Sequence, residues 1–238
     1  MMMNNKVWAV VPAAGIGSRM QADRPKQYLL LNNQPVIVHS LQRLISHPAI
    51  EGVVVALSAN DPYWPSLNLP SHWPIHTTLG GEHRADSVSN ALEFLKNLTR
   101  QDPWVLVHDA ARPCIRHSDI DSMLQQLSDD PVGGILGVPL SETIKRVNTD
   151  NTIEATVDRT GLWRASTPQM FRLRGLAEAL TQAKQSNINV TDEASAMEFM
   201  GLVPKMVAGH ADNIKITLPQ DLALAALFLQ QQNNGEAA

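Results

Sequence analysis

The chain has 238 residues, 44% hydrophobic and 18% charged, with a formal net charge of −4 at pH 7. That is enough apolar material for one large core in a single α/β domain, and the negative balance excludes a general binder of nucleic acid or of an anionic membrane, so an anionic ligand must be met by local cations. Only a five-residue apolar run precedes Pro12, too short for a signal-peptide core or a membrane span, so a cytoplasmic protein is expected; the lone Cys114 excludes an internal disulfide and a thiolate metal cluster.

The first predicted element, Val7 to Val11, is short, apolar and closed by proline, as a central strand of a parallel sheet reads. It runs into Pro12-Ala13-Ala14-Gly15-Ile16-Gly17-Ser18-Arg19-Met20, followed by Pro25-Lys26-Gln27-Tyr28. Ala13, Ala14, Gly15 and Gly17 remove side chains, so that backbone N–H groups can approach a phosphate, and Arg19 and Lys26 supply positive charge to it. This is neither of the common glycine loops. No Lys-Ser or Lys-Thr follows Gly17, as a Walker loop requires, and Met20 stands where a dinucleotide fingerprint has its third glycine.

A helix is predicted over Val38 to Ser46, and strands over Gly52 to Leu57 and Ile75 to Thr78. Gly80 and Gly81 then expose backbone donors just before a helix over Arg84 to Leu98, and Arg84 and Ser87, three apart, share a face of its first turn where a base or a phosphate could meet them. The strand Trp104 to His108 leads to Asp109, which puts a carboxylate at the carboxyl edge of a parallel sheet, where open α/β folds bind ligands. A single carboxylate there suits Mg²⁺, which takes one or two protein oxygens together with phosphate oxygens and water, and the small Ala110 and Ala111 leave room beside it. His108 reads as a packed neutral side chain; no second histidine at ligand spacing supports zinc, and no Ser, His and Asp set suggests acyl transfer.

Further along, a helix over Ser118 to Leu127 and a strand over Gly133 to Pro139 continue the alternation, which Ser141 to Arg164 then interrupts. That segment is polar, with short strands Thr143 to Val147 and Ile153 to Val157 around Asn148-Thr149-Asp150-Asn151-Thr152, and predicts a hairpin projecting from the sheet. A lone two-stranded ribbon is marginal in water, so a second copy of the chain is its simplest partner. Helices over Arg174 to Gln185 and Asp192 to Met200 follow, the second opened by Thr191-Asp192-Glu193-Ala194-Ser195, a plain capping signal. Strands near Leu202 to Val207 and Asn213 to Ile216, a helix over Gln220 to Gln230 and a frayed tail over 231–238 complete a doubly wound, mostly parallel, Rossmann-like α/β fold. Arg19, Lys26, Arg84, Arg112 and Lys215 all fall in loops beside strand or helix ends. An acidic chain thus gathers cations on one edge around Asp109, as a site for a nucleoside triphosphate with Mg²⁺ would.

In their order, Pro12 to Met20 with Pro25 to Tyr28, Gly80-Gly81 with Arg84 to Val88, His108 to Pro113, Thr156-Val157-Asp158-Arg159, Thr167-Pro168-Gln169, Thr191 to Ser195 and Asp212 to Thr217 resemble the 2-C-methyl-D-erythritol 4-phosphate cytidylyltransferase family over nearly the whole chain. The first loop is shared with many sugar nucleotidyltransferases; the ordered set is specific. One departure is Ala91, where the family more often has glycine. The resemblance implies that Pro12, Ala13, Ala14, Gly15 and Gly17, with Gly81, Ser87 and Ala110, hold the cytidine of CTP, and that Arg19, Lys26 and Arg84 contact its triphosphate beside Mg²⁺ at Asp109. It further implies an arm-exchanged homodimer, with Thr143 and Arg159 reaching the polyol phosphate in the partner subunit, near Arg112, Thr167, Thr191 and Lys215. A phosphate monoester is already a nucleophile, so the implied in-line attack on the α-phosphorus needs no general base, and Arg19, Lys26 and Lys215 become the catalytic candidates. The rival readings are a ribitol 5-phosphate cytidylyltransferase, which shares the nucleotide loops, and a non-catalytic nucleotide-binding module, against which Lys26, Asp109 and Lys215 stand. A nicotinamide dehydrogenase is opposed by Met20.

Overall fold

A computed structural model describes residues 6–15 and 23–236 of the chain. In chain order the elements are β1 (Val7–Pro12), β2 (Leu30–Leu31), β3 (Gln34–Pro35), α1 (Val36–Ile45), β4 (Ile50–Leu57), β5 (Ile75–Leu79), α2 (Arg84–Leu98), β6 (Trp104–Val107), α3 (His117–Leu127), β7 (Gly133–Pro139), β8 (Ile144–Val147), β9 (Ile153–Val157), β10 (Trp163–Arg172), α4 (Leu173–Gln185), α5 (Glu193–Phe199), β11 (Lys205–Ala208) and α6 (Gln220–Glu236). Seven strands form a sheet in the order β11-β7-β10-β6-β1-β4-β5. All run parallel except β10, which is antiparallel to both its neighbours.

The period-2 geometry of a strand explains why the apolar runs must be continuous. In β1, Val7, Ala9 and Val11 enter one core layer while Trp8 and Val10 enter the other; β6 divides likewise, Trp104 and Leu106 against Val105 and Val107. The first layer is closed by Ile37, Leu41 and Leu44 of α1 and Ile120, Met123 and Leu127 of α3. The second is closed by Val88, Leu92 and Leu95 of α2, Leu176 and Leu180 of α4, and Met197 of α5. Helices thus cover both faces, and the carboxyl ends of the parallel strands are left to the loops. From β1 the chain passes outward to β4 and β5, then returns across it to β6, so β1 marks the switch point where such sheets bind ligands.

Three differences from the sequence reading bear on the site. The pattern does not predict β10, because its centre, Ser166-Thr167-Pro168-Gln169, is neither apolar nor alternating. Three residues, Ser166 to Pro168, stand there opposite one of β7, and Pro168, with no N–H to donate, is tolerated where the ladder opens. The expected strand over Asn213 to Ile216 does not form: Ile216 N donates to the Ala111 carbonyl, but the segment belongs to no ladder. The expected tail over 231–238 is helical as far as Glu236, and 237–238 lie outside the described residues. Buried Gln232 holds it, donating to the Cys114 carbonyl and the Asp212 carboxylate, so α6 does not end at residue 230.

The hairpin is present as β8 paired with β9, a ribbon separate from the main sheet. Val147 and Ile153 on it are 51% and 65% exposed, an apolar surface that the described residues leave uncovered. No described helix is long and apolar enough to cross a membrane.

Candidate active site

The floor of the site is set by close backbone approach. Ala13 N donates to the Ala56 carbonyl and Gly80 N to the Leu57 carbonyl, which carries the β1 and β5 ends side by side past the sheet edge. A Cβ at Gly80 would lie 2.5 Å from Ala14 Cβ, and one at Gly81 would lie 2.2 Å from Asp86 Cβ, so neither position admits a side chain. At Gly15 a Cβ would meet no atom of the described residues within 4 Å, and the residue lines the cleft. Ser87 Oγ accepts from Gly81 N and donates to the His83 carbonyl, tying the turn to the start of α2.

Asp109 is the electrostatic centre. Its Oδ1 accepts from Arg84 Nε at 3.0 Å, its Oδ2 from Lys215 Nζ at 2.9 Å, and Arg112 Nε stands 3.5 Å from Oδ2. Burial alone would push this carboxyl up; Arg84, Lys215 and Arg112 outweigh that and hold it well below the usual carboxylate range. Arg84 is gripped from its other side by Glu193, whose oxygens accept from NH1 at 2.6 Å and NH2 at 3.0 Å. Two carboxylates therefore keep the Arg84 guanidinium charged against the cost of its own burial. Lys26 Nζ donates to the Ile216 carbonyl at 2.9 Å, one residue beyond Lys215, so the two ammonium groups come from segments joined by that bond.

Beneath the carboxylate lies a neutral polar layer. Thr167 Oγ1 accepts from Asp109 N at 3.0 Å and lies 3.2 Å from His108 Nδ1, while His108 Nε2 is 3.0 Å from the Arg112 carbonyl. A carbonyl only accepts, so Nε2 carries the proton and the Thr167 hydroxyl donates to Nδ1. Burial pushes the His108 pKa down to about 4, in keeping with the packed neutral side chain expected there. Arg112 NH1 donates to the Asn213 carbonyl, and the Asn213 amide to the Thr167 carbonyl, closing a ring of bonds between the loop after β6, the bulge in β10 and the segment before α6.

Eleven of the sequence-predicted residues line one cleft of about 220 Å³: Pro12, Ala13, Ala14, Gly15, Lys26, Gly81, Arg84, Ser87, Asp109, Ala110 and Lys215. Arg112 and Thr167 are bonded around Asp109 rather than on the cleft wall. Thr143, Arg159 and Thr191 are exposed and do not line this cleft; Arg159 donates to the Ser141 carbonyl. Gly17 and Arg19 lie outside the described residues. Among the contributors that the sequence does not predict, Gln27 and Glu193 make the most specific bonds. Gln27, 4% exposed, donates from Nε2 to the Ala13 and Gly15 carbonyls and pins the glycine loop. Glu193 reads locally as part of a helix cap; its partner lies 109 residues away, and no local pattern announces it.

Among the described residues no group of three His, Cys, Asp or Glu could hold a metal ion by itself, so an ion here would share its shell with ligand oxygens. Asp109 fits that use. Its two oxygens offer about four lone-pair positions, of which Arg84 and Lys215 take two by hydrogen bonding, and a hard carboxylate oxygen is a donor Mg²⁺ accepts.

A glycine-lined cleft at the switch point of a doubly wound sheet, with cations marshalled around one carboxylate, is a site of the kind a nucleotidyltransferase needs for a nucleotide's phosphates. The chain matches the family model of 2-C-methyl-D-erythritol 4-phosphate cytidylyltransferase (IspD) over residues 7–231, and it belongs to that family. It is 50% identical over 226 residues to the 2-C-methyl-D-erythritol 4-phosphate cytidylyltransferase of Vibrio vulnificus, covering 95% of each chain. It is 54% identical over 216 residues to that of Pseudomonas putida, covering 90% of this chain and 92% of the relative. Among solved structures, a 4-diphosphocytidyl-2C-methyl-D-erythritol synthase superposes with a TM-score of 0.82 at 35% identity, covering 94% of this chain and 99% of that one. The Francisella tularensis 2-C-methyl-D-erythritol 4-phosphate cytidylyltransferase superposes with a TM-score of 0.79 at 38% identity, with the same coverage.

Proposed function

We propose that this chain transfers the cytidylyl group of CTP to 2-C-methyl-D-erythritol 4-phosphate, giving 4-diphosphocytidyl-2-C-methyl-D-erythritol and pyrophosphate in the non-mevalonate route to isoprenoid precursors. The observation that carries it is the set of three cations around Asp109 on a glycine-lined cleft, in a chain of this family. A phosphate oxygen of the acceptor attacks the α-phosphorus of CTP in line; a new P–O bond forms as the bond to the β-phosphate breaks, and the electron pair leaves on pyrophosphate. No base is required because the acceptor phosphate is already ionised.

The difficulty is electrostatic, since two polyanions must meet. Lys26 and Lys215, with Arg19, offset their repulsion and stabilise charge growing on the α-phosphoryl group and the leaving pyrophosphate, each such preorganised charge contributing on the order of 2 to 4 kcal/mol. Backbone donors at Ala14 and Gly15 hold the nucleotide, with the side-chain-free turn at Gly81, and Ser87, opposite them; the Gly81 N–H is already bonded to Ser87 Oγ. A pyrimidine is the base that suits so close a pair of turns. Asp109 would hold Mg²⁺ together with triphosphate oxygens; when bound, the ion supplies further neutralisation of the phosphate charge.

The ribbon extends this reading to a homodimer. Its exposed apolar residues and its marginal stability alone support exchange between two copies, with Thr143 and Arg159 meeting the acceptor phosphate of the partner's site. Use of CTP, and no helix of membrane-spanning length and apolarity among those described, support a cytoplasmic location. The deciding assay is pyrophosphate release with CTP and Mg²⁺ across a panel of polyol phosphates, with ATP, GTP and UTP as controls. Methylerythritol phosphate with CTP should be the productive pair; preference for ribitol 5-phosphate would transfer the assignment to that cytidylyltransferase.

A further inference from the structure

We propose that Glu193 is a positioning residue for the nucleotidyl transfer, acting on CTP only through Arg84; this rests on the function proposed above. Glu193 is 1% exposed and does not line the cleft, so it cannot touch a nucleotide bound there. Both its oxygens are spent on Arg84, and Arg84 Nε is spent on Asp109. A guanidinium held at three nitrogens by two carboxylates has one orientation, and the N–H groups that remain on NH1 and NH2 are the ones it can offer to phosphate oxygens.

The carboxylate is itself held rigidly. Glu193 opens α5, whose first turn is fixed by Asp192, accepting from Ser195 N, and by the Ser195 hydroxyl. Gln169 of β10 locks that turn to the sheet, donating to Asp192 and accepting from Ala194 N. Gln169 lies two residues beyond Thr167, which carries Asp109 N. One stretch of β10 therefore sets the places of both carboxylates that grip Arg84, and the grip is registered to the sheet rather than to a loop. A buried charge kept for fold stability alone gains nothing from this arrangement, because an apolar pair of similar volume is often as stable.

Kinetics and binding distinguish a positioning role from a structural one. Glu193→Gln keeps the shape but turns an amide N–H toward a guanidinium N–H, and Glu193→Asp keeps the charge but withdraws it by one methylene. Each should lower kcat/KM for CTP by roughly tenfold to a hundredfold, as loss of a supporting partner typically does, and weaken CTP binding measured calorimetrically without acceptor. In an Arg84→Ala background neither substitution should change kcat/KM or the CTP Kd by more than about twofold, although Glu193→Gln, which removes the stranded carboxylate, should raise the unfolding temperature of that variant. Equal losses in the two backgrounds, or wild-type CTP kinetics and binding in both Glu193 variants, would overturn the proposal. Should the wild-type protein bind CTP yet release no pyrophosphate with any acceptor, the function fails, and the Kd comparison alone decides the role of Glu193.

Discussion

Lys215 Nζ stands 2.9 Å from Asp109 Oδ2, a bond that joins the segment before α6 to the carboxyl end of β6 across the cleft. The same lysine lines the candidate cleft, so under the proposed function it is at once a structural partner of the carboxylate and a charge available to phosphate. Lys215→Ala and Lys26→Ala should each reduce kcat by about a hundredfold or more while changing the CTP Kd far less, because the charge they oppose grows in the transition state. Steady-state kinetics beside calorimetry test this; wild-type turnover with lost CTP affinity would make their role one of ground-state binding.

His108 sets an acid limit on stability. Its folded pKa lies at about 4, against 6.5 when unfolded, so between these values the unfolded chain binds more protons and stability falls as pH drops. The contribution is complete above pH 6.5 and gone below pH 4, amounting to about 3 kcal/mol. His108→Gln should be less stable than wild type at pH 7.5 yet lose less on acidification, seen as a shallower fall of unfolding temperature from pH 6.5 to 4. Parallel curves for the two proteins would show that His108 does not set the acid limit.

Gly81 leaves no space for even a methyl group, its Cβ falling 2.2 Å from that of Asp86 at the start of α2. Gly81→Ala must displace the turn and its bond to Ser87 Oγ, and overpacking of this kind costs about 1 to 3 kcal/mol. A raised KM for CTP together with a lowered unfolding temperature is expected, whereas Gly15→Ala, where the described residues leave room, should impair CTP binding with little loss of stability. Unfolding scans on both variants separate the two effects.

Arg159 follows the ribbon strand β9 by two residues and does not line the candidate cleft. Arg159→Ala should raise the KM for the acceptor phosphate and leave CTP binding nearly intact. A mixed dimer pairing an Arg159→Ala subunit with a Lys26→Ala subunit should retain about half the working sites if the ribbon serves the other subunit, and none if it serves its own.

Much of this was already written in the chain, for a physical reason: strand, turn and cap signals are local. Val7 to Val11 had to be an interior strand because its apolar run is unbroken, and Asp109 at a strand end marked the ligand edge. Gly80 and Gly81 marked the turn into α2, but their N–H groups, expected as open donors, are taken by the Leu57 carbonyl and Ser87 Oγ. The ribbon and α2 fall within a residue of their expected positions. The polar strand β10 escaped notice because it is stabilised by neighbours on both sides rather than by its own pattern, and the last turns of α6 did so because Gln232 finds its partners on distant loops. Tertiary structure alone could decide that Glu193 closes on Arg84, that Gln27 pins the glycine loop, and that Thr167 carries Asp109. Each of those bonds links side chains whose neighbourhood arises only when the sheet brings its edge loops together, and no nearest-neighbour preference along the chain encodes it.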